Sequence, residues 1–161
     1  MHPDAVESVI GRLLRQHGLT LAVAESCTGG LVSHRITDVP GSSAYYLGSV
    51  TAYANAIKER VLHVRRRTLR RHGAVSEQTA LEMAQGVRRL LRADVGLAVT
   101  GIAGPDGGTP EKPVGLVYVA LAAPEGEWVE RYVWNGDRWE NKMRSAEAAL
   151  DLLRRYLEGQ R

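Results

Sequence analysis

Cysteine is almost missing from this 161-residue chain. Cys27 stands alone, so neither an internal disulfide framework nor a paired-cysteine metal or redox motif can form. There is no run of about 18 apolar residues, which argues against a membrane-spanning helix. The start Met1-His2-Pro3-Asp4 lacks the basic and apolar regions of a secretion leader. The expectation is a soluble, cytoplasmic protein with no membrane partner. Lysine is scarce as well: of 21 basic residues only Lys58, Lys112 and Lys142 are lysines. Lysine can lose its proton to act as a base and arginine cannot, so a lysine beside a polar motif is a candidate for chemistry. Genomic GC bias explains the arginine preference equally well. Charge of one sign is not in large excess, since 18 acidic residues offset the 21 basic ones for a net +3. The tract Arg65-Arg66-Arg67 with Arg70-Arg71 has no interleaved aromatics, and it reads as a solvated surface with no nucleic-acid partner.

What is present, 44% hydrophobic and 24% charged residues, suits one compact domain over residues 1–161. Apolar positions at helical spacing predict a helix from Ala5 to His17 with Gly18 as its cap. A mostly buried strand follows at Leu19 to Ala24, then a helix from about Thr28 to Thr37, and a strand within Tyr45 to Tyr53. Asn55 is placed to cap a short helix to His63, and Ser76 opens a longer one to about Arg92. Val95 to Val99 is a buried strand. Val114 to Ala122 and Trp128 to Trp134 read as a hairpin, and a final helix runs from about Arg138 to Glu158. The expected fold is a three-layer α/β/α sandwich around a mixed, mainly parallel sheet with a late hairpin.

Three segments place polar or glycine residues just after a strand, where open α/β sheets carry their ligand crevice. The first is Glu25-Ser26-Cys27-Thr28-Gly29-Gly30. Ser26 is a hydroxyl nucleophile candidate, and the N–H groups of the helix that follows would face an anion or developing oxyanion. Capping is the commoner role for a serine or threonine so placed. Cys27 is a rival nucleophile, because a thiolate at a helix N-terminus is reactive. The second segment is Tyr53 to Lys58. No histidine lies in a polar, glycine-rich setting, and a lysine with a pKa depressed by burial can serve as the base. Lys58 fits that role, or it is an ordinary solvated helix lysine; Asn55 either caps or contacts substrate, and Tyr53 either packs or does the same.

The third segment, Thr100 through Gly108, lies in a loop with four glycines and three prolines between Gly101 and Pro113. It is neither a Walker loop, since no Gly-Lys-Ser/Thr follows, nor a dinucleotide fingerprint, since no helix follows. Its glycines allow the backbone close to a phosphate or sugar, and Asp106 can bind a ribose hydroxyl or form an Asx turn. Asp137 is a natural N-cap for the last helix, from which Arg138 or Arg144 could reach a phosphate.

Together these blocks, with Gly41-Ser42-Ser43, Gly73-Ala74-Val75-Ser76-Glu77, Lys112-Pro113-Val114-Gly115 and Gly136-Asp137-Arg138, resemble the CinA C-terminal domain family. Its standalone members include nicotinamide-nucleotide amidohydrolases. The resemblance implies hydrolysis of the carboxamide of nicotinamide mononucleotide to nicotinic acid mononucleotide and ammonia, with no metal or other cofactor, by a homodimer or higher homo-oligomer. It implies Ser26 as nucleophile, Lys58 as base, and Tyr53 and Asn55 as orienting groups. Glu25, Cys27, Thr28, Gly29, Gly30, Ser43, Thr100, Gly101, Gly104, Pro105, Asp106, Gly107, Gly108 and Arg144 are the substrate-binding set. Asn55-Ala56-Ile57-Lys58 departs from the acidic residue usual after the asparagine, and Trp139 and Asn141 depart in the last helix. Larger family members also carry a nucleotide-pyrophosphatase domain, so no ADP-ribose hydrolysis is expected here. The alternative is a nucleotide- or partner-binding module of the same fold with weak turnover.

Overall fold

The computed structural model describes residues 2–159. Helices α1 (Val6–His17), α2 (Leu31–Thr37), α3 (Asn55–Arg60), α4 (Arg66–His72), α5 (Glu77–Leu91) and α6 (Arg138–Leu157) surround strands β1 (Leu21–Glu25), β2 (Tyr46–Thr51), β3 (Val95–Gly101), β4 (Leu116–Ala123) and β5 (Gly126–Val133). The strands form one sheet in the order β2-β1-β3-β4-β5. β1 pairs in parallel with both β2 and β3, whereas β3–β4 and β4–β5 are antiparallel. The sheet is therefore mixed, with parallel and antiparallel ladders equal in number and four of five strands running one way. The late hairpin closes through Pro124 and Glu125, with Ala123 opposite Gly126.

The alternation of large and small residues along the strands dictates the layers. Leu21 and Val23 of β1, Val95, Leu97 and Val99 of β3, and Val117, Val119 and Leu121 of β4 point to the face covered by α1, α2 and α6. Their neighbours Ala22, Ala24, Ala98, Ala120 and Ala122 point to the other face, under α5. Two-residue periodicity thus gives one deep layer built from leucine and valine and one shallow layer built from alanine. Shallowness lets α5 approach closely. A Cβ on Gly96 of β3 would lie 2.2 Å from the Ala84 carbonyl oxygen, and one on Gly86 of α5 would lie 2.0 Å from that of Leu62.

Three boundaries differ from expectation for physical reasons. Gly29 and Gly30 take positive φ of 61° and 103°, so α2 begins at Leu31 and not at Thr28. Ala54 precedes α3 as its cap residue, so Asn55 is its first helical residue and caps nothing. The arginine tract is exposed, as expected of a solvated surface, and it also contains α4, whose Thr68 is buried beneath the arginines. Ser76 and Asp137 do cap α5 and α6, accepting from the N–H groups of Thr79 and Glu140. Among the described residues no helix is long and apolar enough to cross a membrane.

Because the Gly96 contact is backbone against backbone, Gly96→Ala should lower unfolding free energy by roughly 1–3 kcal/mol or more, measured by urea denaturation. An unchanged urea midpoint would contradict close α5 packing as the determinant of this layer.

Candidate active site

β1 sits between β2 and β3, and all three strands deliver their C-terminal ends to one edge of the sheet. The chain leaves β1 for β2 through α2 on one face and leaves β2 for β3 through α5 on the other. The two connections part there and open a crevice. A cleft of about 240 Å³ lies at this edge, lined by Ser26, Cys27, Tyr53, Asn55, Lys58, Ala74, Val75, Thr100 to Gly104, Asp106, Gly107 and Arg138.

Ser26 follows β1 directly, its N–H donating to the Val99 carbonyl at 3.0 Å, so the residue is anchored to β3 as firmly as the strand is. Lys58 approaches from α3 and is 1% exposed. Its Nζ donates to Ser26 Oγ at 2.9 Å and to the carbonyls of Ala52 and Tyr53 at 2.8 and 3.0 Å. Burial pushes its pKa down from 10.5 to about 8. Carbonyl oxygens only accept. In the neutral amine the two remaining N–H bonds stay on Ala52 and Tyr53, and the tetrahedral lone pair points at the Ser26 hydroxyl. The geometry is that of a base hydrogen-bonded to its nucleophile.

Cys27, one residue on, is buried and its thiol is pushed up to about 12, chiefly by burial. The positive helix end expected to activate it is not there for it. The Glu25 carboxylate, fully buried, accepts from Thr28 Oγ1 at 2.6 Å and from the N–H groups of Val32 and Ser33 at 3.0 Å each. Glu25 thereby caps α2 from the strand before it. Two N–H groups at the start of α2 are thus bound by an internal carboxylate, and Glu25 and Thr28 are scaffold for the turn and do not line the cleft.

The glycine loop forms the opposite wall. Thr100 Oγ1 donates to the Ala74 carbonyl at 2.8 Å, tying β3 to the Gly73–Ser76 turn. Gly101 passes so close to Cys27 that an added Cβ would lie 3.1 Å from its Sγ. Gly104 and Gly107 have φ of 85° and 94°, and the Gly104–Pro105 bond is cis. From α6, Arg138 Nη1 donates to the Gly104 carbonyl at 2.7 Å and Nη2 to the Tyr53 hydroxyl at 3.4 Å. Asn141 is buried and donates to the carbonyls of Ala103 and Gly136 while accepting from the Gly136 N–H, all at 3.0 Å. It pins the start of α6 to the loop.

Residues 3–157 match the family model described as the CinA C-terminal domain. The chain belongs to the CinA C-terminal domain family. A CinA-like protein of Desulfotalea psychrophila is 51% identical over 96% of this chain and 37% of its own length. The chain spans less than two-fifths of the curated relatives it matches. Among solved structures, a CinA superfamily protein of Klebsiella pneumoniae superposes with a TM-score of 0.93 at 31% identity, covering 99% of both chains. The competence/damage inducible protein CihA of Agrobacterium tumefaciens gives 0.86 at 40% identity, covering 98% of both. The architecture described above is that of these CinA structures.

The cleft brings together Ser26, Cys27, Tyr53, Asn55, Lys58, Thr100, Gly101, Gly104, Asp106 and Gly107. Pro105 and Gly108 are exposed beside its lining, and Gly29 and Gly30 stand beyond it on the turn. Ser43 lies in a short 3₁₀ turn before β2 begins, at the opposite edge of the sheet. Arg144 points elsewhere, pairing with Asn135 and Glu140. The arginine in the cleft is Arg138, because the first turn of α6 abuts the loop and Arg144 is nearly two turns farther on. Asn141 was visible in sequence only as a departure from the family pattern; nothing there signalled its amide cluster. Among the described residues no group of three or more His, Cys, Asp or Glu side chains converges as a metal site.

A buried thiol that ionises only near pH 12 should resist iodoacetamide at pH 8 in the folded protein and react promptly after denaturation. Rapid labelling of the native state would reinstate Cys27 as a nucleophile.

Proposed function

We propose that this chain is an amidohydrolase that converts nicotinamide mononucleotide to nicotinic acid mononucleotide and ammonia. The observation that carries the reading is the buried 2.9 Å hydrogen bond between Lys58 Nζ and Ser26 Oγ, in a family whose resemblance implies this reaction. Neutral Lys58 takes the hydroxyl proton as Ser26 Oγ attacks the carboxamide carbon. The resulting ammonium returns that proton to the departing nitrogen, which leaves as ammonia, and an ester to Ser26 remains. Water, deprotonated by Lys58, then attacks the ester; the acid departs and Ser26 regains its proton.

Asn55 and Tyr53, both exposed on one wall, orient the nicotinamide end. The Gly101–Gly107 backbone and Asp106 form the wall for the ribose. The binding-module alternative shares this cleft and differs only in lacking turnover.

The assay is ammonia and nicotinic acid mononucleotide release from nicotinamide mononucleotide. Ser26→Ala should reduce kcat at least about 10³-fold, and Cys27→Ala should leave the reaction in place. Nucleotide binding by calorimetry with no ammonia from wild type would favour the binding module.

Because Lys58 is a base only when neutral, kcat/KM should rise about tenfold per pH unit below about pH 8 and level off above it. Lys58→Arg, charged throughout this range, should be nearly inactive. A flat profile between pH 6 and 9 would point to another base.

A further inference from the structure

A nucleotide phosphate brings charge that needs a cation, and the cations in and beside the cleft differ in what already holds them. Lys58 is buried on Ser26. Arg138 donates to the Gly104 carbonyl and the Tyr53 hydroxyl, bonds that fix its orientation at the cleft and leave its charge unpaired; Arg144 pairs with Asn135 and Glu140, and Lys112 donates to the His72 carbonyl. Lys142 differs. It is half-buried, and it takes part in no hydrogen bond or ion pair among the described residues. It lies four residues after Arg138 on α6, so the two share a face one turn apart. Its Nζ is 3.7 Å from where a Cβ on Gly29 would stand, with nothing else that near, and its charge is felt at Cys27. The ammonium therefore stands over the exposed turn that leaves the Ser26 nucleophile.

We infer that Lys142 binds the phosphate of the nucleotide and sets a preference for phosphorylated over unphosphorylated substrate; the inference rests on the amidase reading above. The chemistry suits the residue. A terminal phosphate presents several acceptor oxygens, and a lysine ammonium is a compact charge with three donors on a flexible stem. Gly29, without a side chain, leaves the space beside Nζ open. The carboxamide reaches Ser26 inside the cleft while the phosphate stays at its rim, where a half-exposed cation meets it without burying an unpaired charge.

The test compares wild type, Lys142→Met and Lys142→Arg on nicotinamide mononucleotide and on its unphosphorylated nucleoside. Methionine keeps the apolar stem and removes the charge. The ratio of kcat/KM for mononucleotide over nucleoside should fall at least about tenfold in Lys142→Met, mainly through KM, and stay within about threefold of wild type in Lys142→Arg. An unchanged ratio, or an equal loss on both substrates, overturns the inference. Should wild type release ammonia from neither compound, the amidase reading fails, and Lys142 is decided by calorimetry with the mononucleotide alone. Binding weakened about tenfold or more in Lys142→Met supports it. Equal affinity, or no binding by wild type, overturns it.

Discussion

A lysine that is 1% exposed is the constraint around which this cleft is organised. Taking an ammonium out of water costs several kcal/mol unless its donors are satisfied, and Lys58 has three donors and three acceptors. Two of those acceptors are carbonyls of Ala52 and Tyr53, freed for this use where β2 ends at Thr51. Burial still dominates: the fall from 10.5 to about 8 corresponds to about 3 kcal/mol of native-state destabilisation when the group is charged. The sign follows from proton counting. Below about pH 8 both folded and unfolded chains hold the proton and the penalty is fully felt. As pH rises from 8 toward 10.5 the native state releases its proton first, so this penalty is relieved. The amine facing Ser26 thereby reaches its neutral form at a lower pH than a solvated lysine does.

Glu25 makes a second buried charge tolerable by a different route. Its carboxylate forms no ion pair among the described residues and is held by one hydroxyl and two helix N–H groups, which supply donors and the positive end of α2 together. The consequence for chemistry is subtractive. A helix end that would have lowered the Cys27 pKa is neutralised from inside, and the Glu25 charge raises it further. Of two adjacent nucleophile candidates, the Cys27 thiol is held protonated by burial, and the Ser26 hydroxyl carries the hydrogen bond to Lys58.

Legibility in the sequence followed the range of the interactions involved. α1, β3, α5 and α6 were readable because their periodicity, the Gly18 terminus and the Ser76 and Asp137 caps are local signals. The site segments were readable for the same reason, each being a polar or glycine block directly after a strand. The start of α2 was misread because its cap comes from Glu25, before the turn and not at it. Seven residues separate donor and acceptor in the Val32 bond, beyond any capping box. Arg144 was preferred to Arg138 for want of any local sign that the Gly104 carbonyl, 34 residues away, would claim Arg138. α4 was hidden by its arginines, which are correct for a surface and silent about the helix beneath them.

The arrangement at the rim of the cleft explains why three distant blocks must occur together. Tyr53, Gly104 and Arg138 come from α3's approach, the glycine loop and the first turn of α6, and one guanidinium bridges the other two across 85 and 34 positions. Asn141 fixes the same turn to Ala103 by a separate bond. The loop is held by its own turn bonds between Thr109 and Lys112, by backbone pairing of Ile102 with Gly115 and Leu116, and by α6, which packs in turn on the deep leucine and valine layer with α1 and α2. Binding geometry thus depends on the deep face of the sheet, whereas the Ser26–Lys58 pair depends on β1, the end of β2 and the alanine-lined shallow face. The central sheet is what keeps those two halves of the site in register.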